Sequence, residues 1–292
     1  MYLHDEGSIQ LKRIVSIQDI SCVGKCSLTV ALPIVSAMGV ECGIVPTAVL
    51  SVHTAFDSFT FDDLTDQIEP IGQSFADNGI AFDAIYTGYL GSFEQLEVVS
   101  RFLDLHKKEG TLVFVDPAMA DNGALYTGFT PAFARAMGAV LCSKADIVDP
   151  NITETSFMLG AEYRKDGDYD EDYLKGLLEG LVGLGAKKAV LTGVVLEPGT
   201  CGVYGLDGQT GEYFSYFNEL VDARFHGTGD VFSSATVGAL MNGKSLQEAL
   251  AIAADFTVRS IRATLAHEDH NWYGVDFEAE IPYLLQRLGA RA

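Results

Sequence analysis

A carboxylate set in a glycine turn is the residue in this sequence with the plainest chemical use. Phe225-His226-Gly227-Thr228-Gly229-Asp230 leads directly into an apolar run, residues 231–240. Glycines let the backbone turn tightly and approach a ligand closely. A helix beginning here would present unpaired N–H groups and the positive end of its dipole, which together attract an anion. In that setting Asp230 can take a proton from a hydroxyl, and the amides of Gly227, Thr228, Gly229 and Asp230 can hold the charge of a transferring phosphoryl group. An ordinary helix cap would use the same residue types.

Asn151-Ile152-Thr153-Glu154 is a second candidate. Residues three apart at a helix start share a face, so Asn151 and Glu154 can hold a hydrated magnesium ion, which keeps several of its waters. A helix N-terminus after Pro150, with Glu154 favouring the dipole, explains the pair equally well. Asp116 follows an apolar stretch and can touch a phosphate–metal cluster through water or a cation; an Asp-Pro turn is its structural alternative. Thr192 and Gly193 either line nucleotide phosphates or end a strand. Leu50-Ser51-Val52-His53-Thr54 supplies hydroxyls and an imidazole suited to a small polar ring, and Tyr89 can stack on an aromatic ligand.

These residues must be positioned by alternating strands and helices. Strand patterns cover residues 13–17, 40–45, 82–86, 112–115, 145–148 and 187–191. Helices are expected over 27–38, ended by Gly39 and disturbed by Pro33, and from Thr60 as N-cap. A third follows the capping box Ser92-x-x-Gln95 and closes at Gly110. Others span about 170–184, 229–241 and 245–265, the last opened by Ser245-x-x-Glu248. Residues 202–206 and 212–216, around Asp207-Gly208, form an antiparallel hairpin. The pattern predicts one α/β domain over the whole chain, with a mainly parallel sheet, helices on both faces and an antiparallel edge hairpin. Such sheets bind ligands at the carboxyl ends of their strands. Asp19, Thr47, Tyr89, Asp116, Asn151 and Thr192 all follow expected strands, so they should meet on one rim with Asp230.

Composition removes several classes of function. Nineteen Lys and Arg stand against 40 Asp and Glu, a net charge of −21, so nucleic acid and anionic membranes should be repelled. The five cysteines are odd in number and widely spaced, as reduced, mostly buried thiols of a cytoplasmic protein would be. Residues 1–6 show no leader pattern, and no 18-residue apolar run is present. There is no Gly-x-x-x-x-Gly-Lys-Ser/Thr segment and no Gly-x-Gly-x-x-Gly after the first strand. P-loop hydrolysis and dinucleotide-linked redox chemistry are therefore disfavoured.

The combination of Asn151-x-x-Glu154 with Gly227-Thr228-Gly229-Asp230, in that order, resembles the ribokinase-like superfamily. Thr47, Ser51-Val52-His53-Thr54, Thr87-Gly88-Tyr89-Leu90-Gly91 and Asp116-Pro117-Ala118-Met119 are similar to the vitamin B6 kinases within it. The likeness extends over roughly residues 13–262. It implies transfer of phosphate from ATP to the 5′-hydroxymethyl group of pyridoxal, pyridoxamine or pyridoxine. It assigns Asp230 as base, Asn151 and Glu154 to Mg2+, and Asp116 to the γ-phosphate and a monovalent cation, K+. It further implies that Tyr126 closes over ATP, that Thr47, His53 and Tyr89 surround the ring, and that the protein is a homodimer. Hydroxymethylpyrimidine kinase is the rival within the same fold; Ser21-Cys22-Val23-Gly24-Lys25 is a poor match to its glycine-rich run. Four departures from the family pattern stand out: Asp19 where a serine is usual beside the ring, a segment Gly24-Lys25-Cys26-Ser27 about one residue shorter than in many relatives, Asp149 where a threonine or small residue is usual, and Val52 in place of asparagine. Asp19 points to a protonated or amino-bearing vitamer.

Overall fold

The computed structural model describes residues 11–289; residues 1–6, read above as lacking a leader, lie outside them. The apolar runs form the middle of a nine-stranded sheet. Along the chain its strands are β1 (Arg13–Val23), β2 (Glu41–Val52), β3 (Phe61–Asp63), β4 (Ala84–Thr87) and β5 (Leu112–Val115). After a small separate ribbon of β6 (Ala120–Asp121) and β7 (Ala124–Leu125) come β8 (Ile147–Val148), β9 (Lys188–Val194), β10 (Thr200–Asp207) and β11 (Glu212–Glu219). The spatial order is β11-β10-β9-β8-β5-β4-β1-β2-β3. Every pairing from β2 to β9 is parallel, while β3 at one edge and β10 with β11 at the other are antiparallel.

Helices cover both faces because the central strands are apolar on both sides. Val15, Ile17, Ile85, Val113 and Val115 pack towards α2 (Thr65–Asp77), α3 (Phe93–His106), α4 (Pro131–Val140), α5 (Ile152–Leu159) and α6 (Glu171–Leu184). Ile14, Ala84, Tyr86 and Phe114 pack towards α1 (Leu28–Ala37), α7 (Thr228–Met241), α8 (Leu246–Leu265) and α9 (Ile281–Leu288). Among the described residues no helix is long and apolar enough to cross a membrane. All five cysteines are free; Cys142 is buried, whereas Cys22 is exposed near the end of β1.

Several boundaries differ from expectation. The segment at Thr60 does not start a helix: residues 61–63 pair with Ala48–Leu50 of β2, and α2 starts at Thr65. The Asp63 carboxylate accepts from the Thr65 amide at 2.7 Å, which ends the strand and turns the chain. Gln95 closes only half of its capping box. Ser92 Oγ accepts from the Gln95 amide, but the Gln95 side chain accepts from Gly91 N and donates to the Thr47 carbonyl. That helix stops at His106, ahead of Gly110. Strands β1 and β2 run well beyond their expected ends, so Asp19, Thr47 and Ser51 lie within strands rather than after them. The register slips between Gln18 and Ile20, which pair with Pro46 and Val49. Two residues of β2, Thr47 and Ala48, therefore face Asp19 across a bulge, a device that re-aims side chains beside functional sites.

Candidate active site

The C-terminal ends of β5, β8 and β9 and the start of α7 surround one cleft of about 580 Å³. Asp116, Tyr126, Asn151, Glu154, Thr192, Gly193 and residues 227–230 all line it. The structure thus gathers the residues expected to serve nucleotide, metal and catalysis. Asp116 sits just past β5, its amide bonded to the Thr87 carbonyl at 2.9 Å. Thr192 lies in β9 and bridges to Asn151, and Gly193 takes a left-handed turn there, with φ 66°.

Helix α7 begins without a side-chain cap. Its N-cap is Gly227, with φ 77°, and a Cβ at that position would lie 2.0 Å from the Lys25 carbonyl oxygen. The turn therefore requires glycine on both conformational and steric grounds. Thr228, Gly229 and Asp230 form the first turn, whose amides lack the usual side-chain acceptor. Asp230 is half-buried, with the backbone of Ser27 beside its carboxylate. Burial, followed by the charge of Asp116, pushes its pKa up to about 8.

Beside it stands a cluster of buried carboxyl groups. Ser233 Oγ lies 2.6 Å from Asp149 Oδ2 and 3.1 Å from Asp116 Oδ2, and the second oxygen of Asp149 is buried without a partner. One hydroxyl proton cannot serve two carboxylates, so this group is short of positive charge. Burial, countered only by the Ser233 hydrogen bond, raises the pKa of Asp116; burial and then the Asp116 charge raise those of Asp149 and Glu154. Ser233 was not singled out in the sequence. Its signal was the position one turn after Asp230 on the same face, masked by the surrounding apolar run.

Asn151 and Glu154 form a reciprocal capping box on α5. Asn151 Oδ1 accepts from the Glu154 amide at 2.9 Å, and Glu154 Oε2 from the Asn151 amide at 2.9 Å. Glu154 Oε1 also accepts from the Met119 amide at 3.0 Å, and Asn151 Nδ2 donates to the Ala120 carbonyl. The pair thereby fixes the segment after Asp116 against α5. Among the described residues no three His, Cys, Asp or Glu side chains come together closely enough to hold a metal.

The residues expected around the substrate ring are less uniform. Asp19 is buried beside Ser21, whose Oγ donates to it at 3.0 Å, and Ser27. Burial outweighs those hydroxyls and raises its pKa. Asp19 also adds its charge to the environments of both Asp230 and Tyr89, which places it near each of them. Thr47 is fully buried behind Tyr89, and Tyr89 packs on Phe129 with ring centroids 5.5 Å apart. His53 already has partners for both ring nitrogens, the Ala55 amide at Nδ1 and the Tyr273 carbonyl at Nε2. Its ring lies 4.8 Å from that of His226, and in this conformation neither ring nitrogen is free for a ligand. Ser51 is exposed and binds the Thr60 amide at 2.9 Å, away from the other ring residues.

The remaining cleft wall, Val203, Val221, Ala254, Val258 and Ile261, was not anticipated. These apolar residues come from β10, the segment after β11, and α8, and no local motif marks them.

The phosphomethylpyrimidine kinase family model matches residues 33–273. The pyridoxine/pyridoxal/pyridoxamine kinase of Bordetella avium is 28% identical over 262 residues, covering 86% of this chain and 85% of its own. A crystal structure from Bacteroides thetaiotaomicron, described as a phosphomethylpyrimidine kinase in a form with pyridoxal, is 38% identical. It superposes with a TM-score of 0.89 over 94% of this chain and 96% of that one. The pyridoxal kinase structure from Lactobacillus plantarum is 28% identical, with a TM-score of 0.85 over 95% and 98% of the two chains. The mainly parallel sheet with helices on both faces is thus shared with pyridoxal kinases of ribokinase-like fold. The chain belongs to the phosphomethylpyrimidine kinase family, and its resemblance to the vitamin B6 kinases is borne out.

Proposed function

We propose that this chain is a single-domain kinase that transfers the γ-phosphate of ATP to the 5′-hydroxymethyl group of a vitamin B6 vitamer: pyridoxal, pyridoxamine or pyridoxine. The observation that carries the reading is the uncapped start of α7, which sets Asp230 and a row of free amides against the carboxylate cluster. Asp230 takes the hydroxyl proton as that oxygen attacks, and the amides of Gly227, Thr228 and Gly229 stabilise the charge on the transferring group. The apolar wall of Val203, Ala254, Val258 and Ile261 suits an adenine ring, Thr192 and Gly193 lie along the phosphates, and exposed Tyr126 covers them.

The cluster also fits cations, because among the described residues its carboxyl groups form no ion pair and one Asp149 oxygen is orphaned. Asp116, with Asn151 and Glu154, would hold Mg2+, the last through water since backbone amides already engage both its oxygens. Magnesium supplies positive charge to the phosphate oxygens when bound. Asp116 would also border a monovalent cation, K+. Asp19, Thr47, His53 and Tyr89 form the ring side, with Ser51 at its outer margin.

The family's own description names the pyrimidine reaction, so hydroxymethylpyrimidine is the rival substrate. Similarity to the B6 kinases supports the vitamer instead. ATP consumption with pyridoxal, pyridoxamine, pyridoxine, hydroxymethylpyrimidine and ribose tests this directly; no turnover of any B6 vitamer would overturn it. Asp19 favours an ammonium-bearing substrate, and a charged hydrogen bond contributes about 1.5–3 kcal/mol. Asp19→Ser should then lower the kcat/KM ratio of pyridoxamine to pyridoxal by about tenfold; equal ratios in both enzymes would refute that preference. We further propose a homodimer acting in the cytoplasm. A monomeric mass in solution would exclude the dimer.

A further inference from the structure

Among the described residues only three non-glycine residues have positive φ, and two of them, Lys25 (φ 51°) and Ser27 (φ 52°), flank Cys26 directly after Gly24 (φ 148°). Such conformations cost on the order of 1 kcal/mol or more each and persist only where the surroundings over-determine them. Here the surroundings are three glycine contacts. A Cβ at Gly24 would lie 2.4 Å from the His53 ring, one at Gly227 2.0 Å from the Lys25 carbonyl oxygen, and one at Gly274 2.5 Å from Lys25 Cβ. The loop is thus wedged between the ring side of the site, the anion turn and the segment after Tyr273.

Only one side chain of this loop reaches across to that segment as an ion pair. Lys25 Nζ donates to Asp276 Oδ1 at 2.6 Å and to Glu278 Oε2 at 3.0 Å, with the lysine side chain 20% exposed. Asp276 is itself anchored, its amide donating to Thr264 Oγ1 on α8 at 2.7 Å. At the other end of the loop, the backbone backs onto the start of α7, Lys25 O and Cys26 Cα lying 2.0 and 3.4 Å from where a Cβ at Gly227 would sit, and Ser27 stands beside Asp230 and Asp19. The order of contacts is therefore α8, Asp276, Lys25, Ser27, Asp230.

We propose that Lys25 is a positioning residue: by tying the strained loop to Asp276 and Glu278, it holds the loop backbone against the Gly227 turn and Ser27 beside Asp230, and so fixes the direction of the base. This rests on the reading of Asp230 as base. Without the tie, the loop can relax from its left-handed conformations and draw away from Gly227 and Asp230. The apolar nucleotide wall does not touch the loop, so the loss falls on turnover rather than on nucleotide binding. A merely stabilising ion pair would alter folding stability and leave turnover intact.

The test compares Lys25→Met, Lys25→Arg and the double variant Asp276→Asn/Glu278→Gln with the wild-type enzyme. For Lys25→Met, kcat should fall by about tenfold or more, as misplacement of a reacting group demands, while ADP affinity is unchanged. Lys25→Arg should recover most of that loss. Amide exchange at Ser27 should be faster in Lys25→Met and near normal in Lys25→Arg. Unchanged kcat in Lys25→Met, equal losses in the Met and Arg variants, or unaltered Ser27 exchange would each overturn the proposal. Should Lys25→Met fail to fold, the double variant, which keeps the lysine, carries the same expectations and the same refutation. Exchange at Ser27 needs no substrate. A wild-type enzyme that phosphorylates no vitamer would therefore refute the substrate reading while leaving this inference separately measurable.

Discussion

Two helix starts in this molecule share a sequence pattern and differ in everything around it. Asn151-x-x-Glu154 opens α5 inside the cleft, and Ser245-x-x-Glu248 opens α8 at the surface; both close reciprocal capping boxes. At the surface, the Ser245 hydrogen bonds lower the Glu248 pKa. In the cleft, burial and the charge of Asp116 overcome three backbone hydrogen bonds and raise that of Glu154. The pattern therefore specifies a helix start, and the environment decides whether its acid is a cap alone or also part of an electrostatic site. Helix α7 extends the comparison: Asp230 occupies the same third position, but glycine replaces the capping side chain, which leaves the first amides free.

The largest effect should come from breaking that third start. Asp230→Asn keeps the size and most hydrogen bonds of the side chain but removes the proton acceptor. The variant should fold and bind ADP normally, with kcat lower by about 10²–10⁴, the usual weight of a general base. Near-normal turnover would refute the assignment.

Glu154→Gln sharpens the contrast within the cleft. Glutamine can keep one accepting oxygen for the amides of Met119 or Asn151, so the cap is weakened rather than lost. Removing its charge should raise the magnesium concentration for half-maximal rate by about tenfold, as loss of an outer partner of a metal site does. An unchanged magnesium titration would reduce Glu154 to a cap like Glu248.

The cleft should also betray itself without any substrate. The Asp230 pKa rises from an ordinary 3.8 to about 8 on folding. Between those values the folded state holds a proton that the unfolded chain has released. Stability is then fully present below the unfolded pKa and is lost as pH rises through the folded one. Asp149 and Glu154 shift in the same direction. In metal-free buffer, Tm should fall steadily from about pH 5 to about pH 8, and Asp149→Asn should flatten that slope. A slope identical in the wild type and Asp149→Asn would mean that Asp149 contributes nothing to it.

These differences explain what could be read from the chain before its structure. The parallel centre was legible because β4, β5, β8 and β9 are short apolar runs followed by polar residues. The edge strand β3 was not, because Thr60-Phe61-Asp62-Asp63 satisfies the local chemistry of a helix start, while its pairing with Ala48–Leu50 is a long-range fact. Asp230, Asn151 and Glu154 were legible through spacing, and the cleft gathers them. The bulge that aims Asp19, the sharing of Ser233 between Asp116 and Asp149, and the occupied nitrogens of His53 depend on strand register and packing, which no local pattern encodes.

The smallest effect belongs to the surface start and serves as the control for the others. Ser245 Oγ accepts from the Glu248 amide at 3.3 Å, and Glu248 returns a bond to the Ser245 amide at 2.9 Å. Ser245→Ala removes the cap and should cost about 1 kcal/mol of folding stability, a typical capping contribution. The box is exposed and lies outside the residues that line the cleft, so kcat and the magnesium titration should not move. A change in either would mean that a capping box reaches the site through α8 itself, and the magnesium response of Glu154→Gln could then no longer be credited to the buried charge.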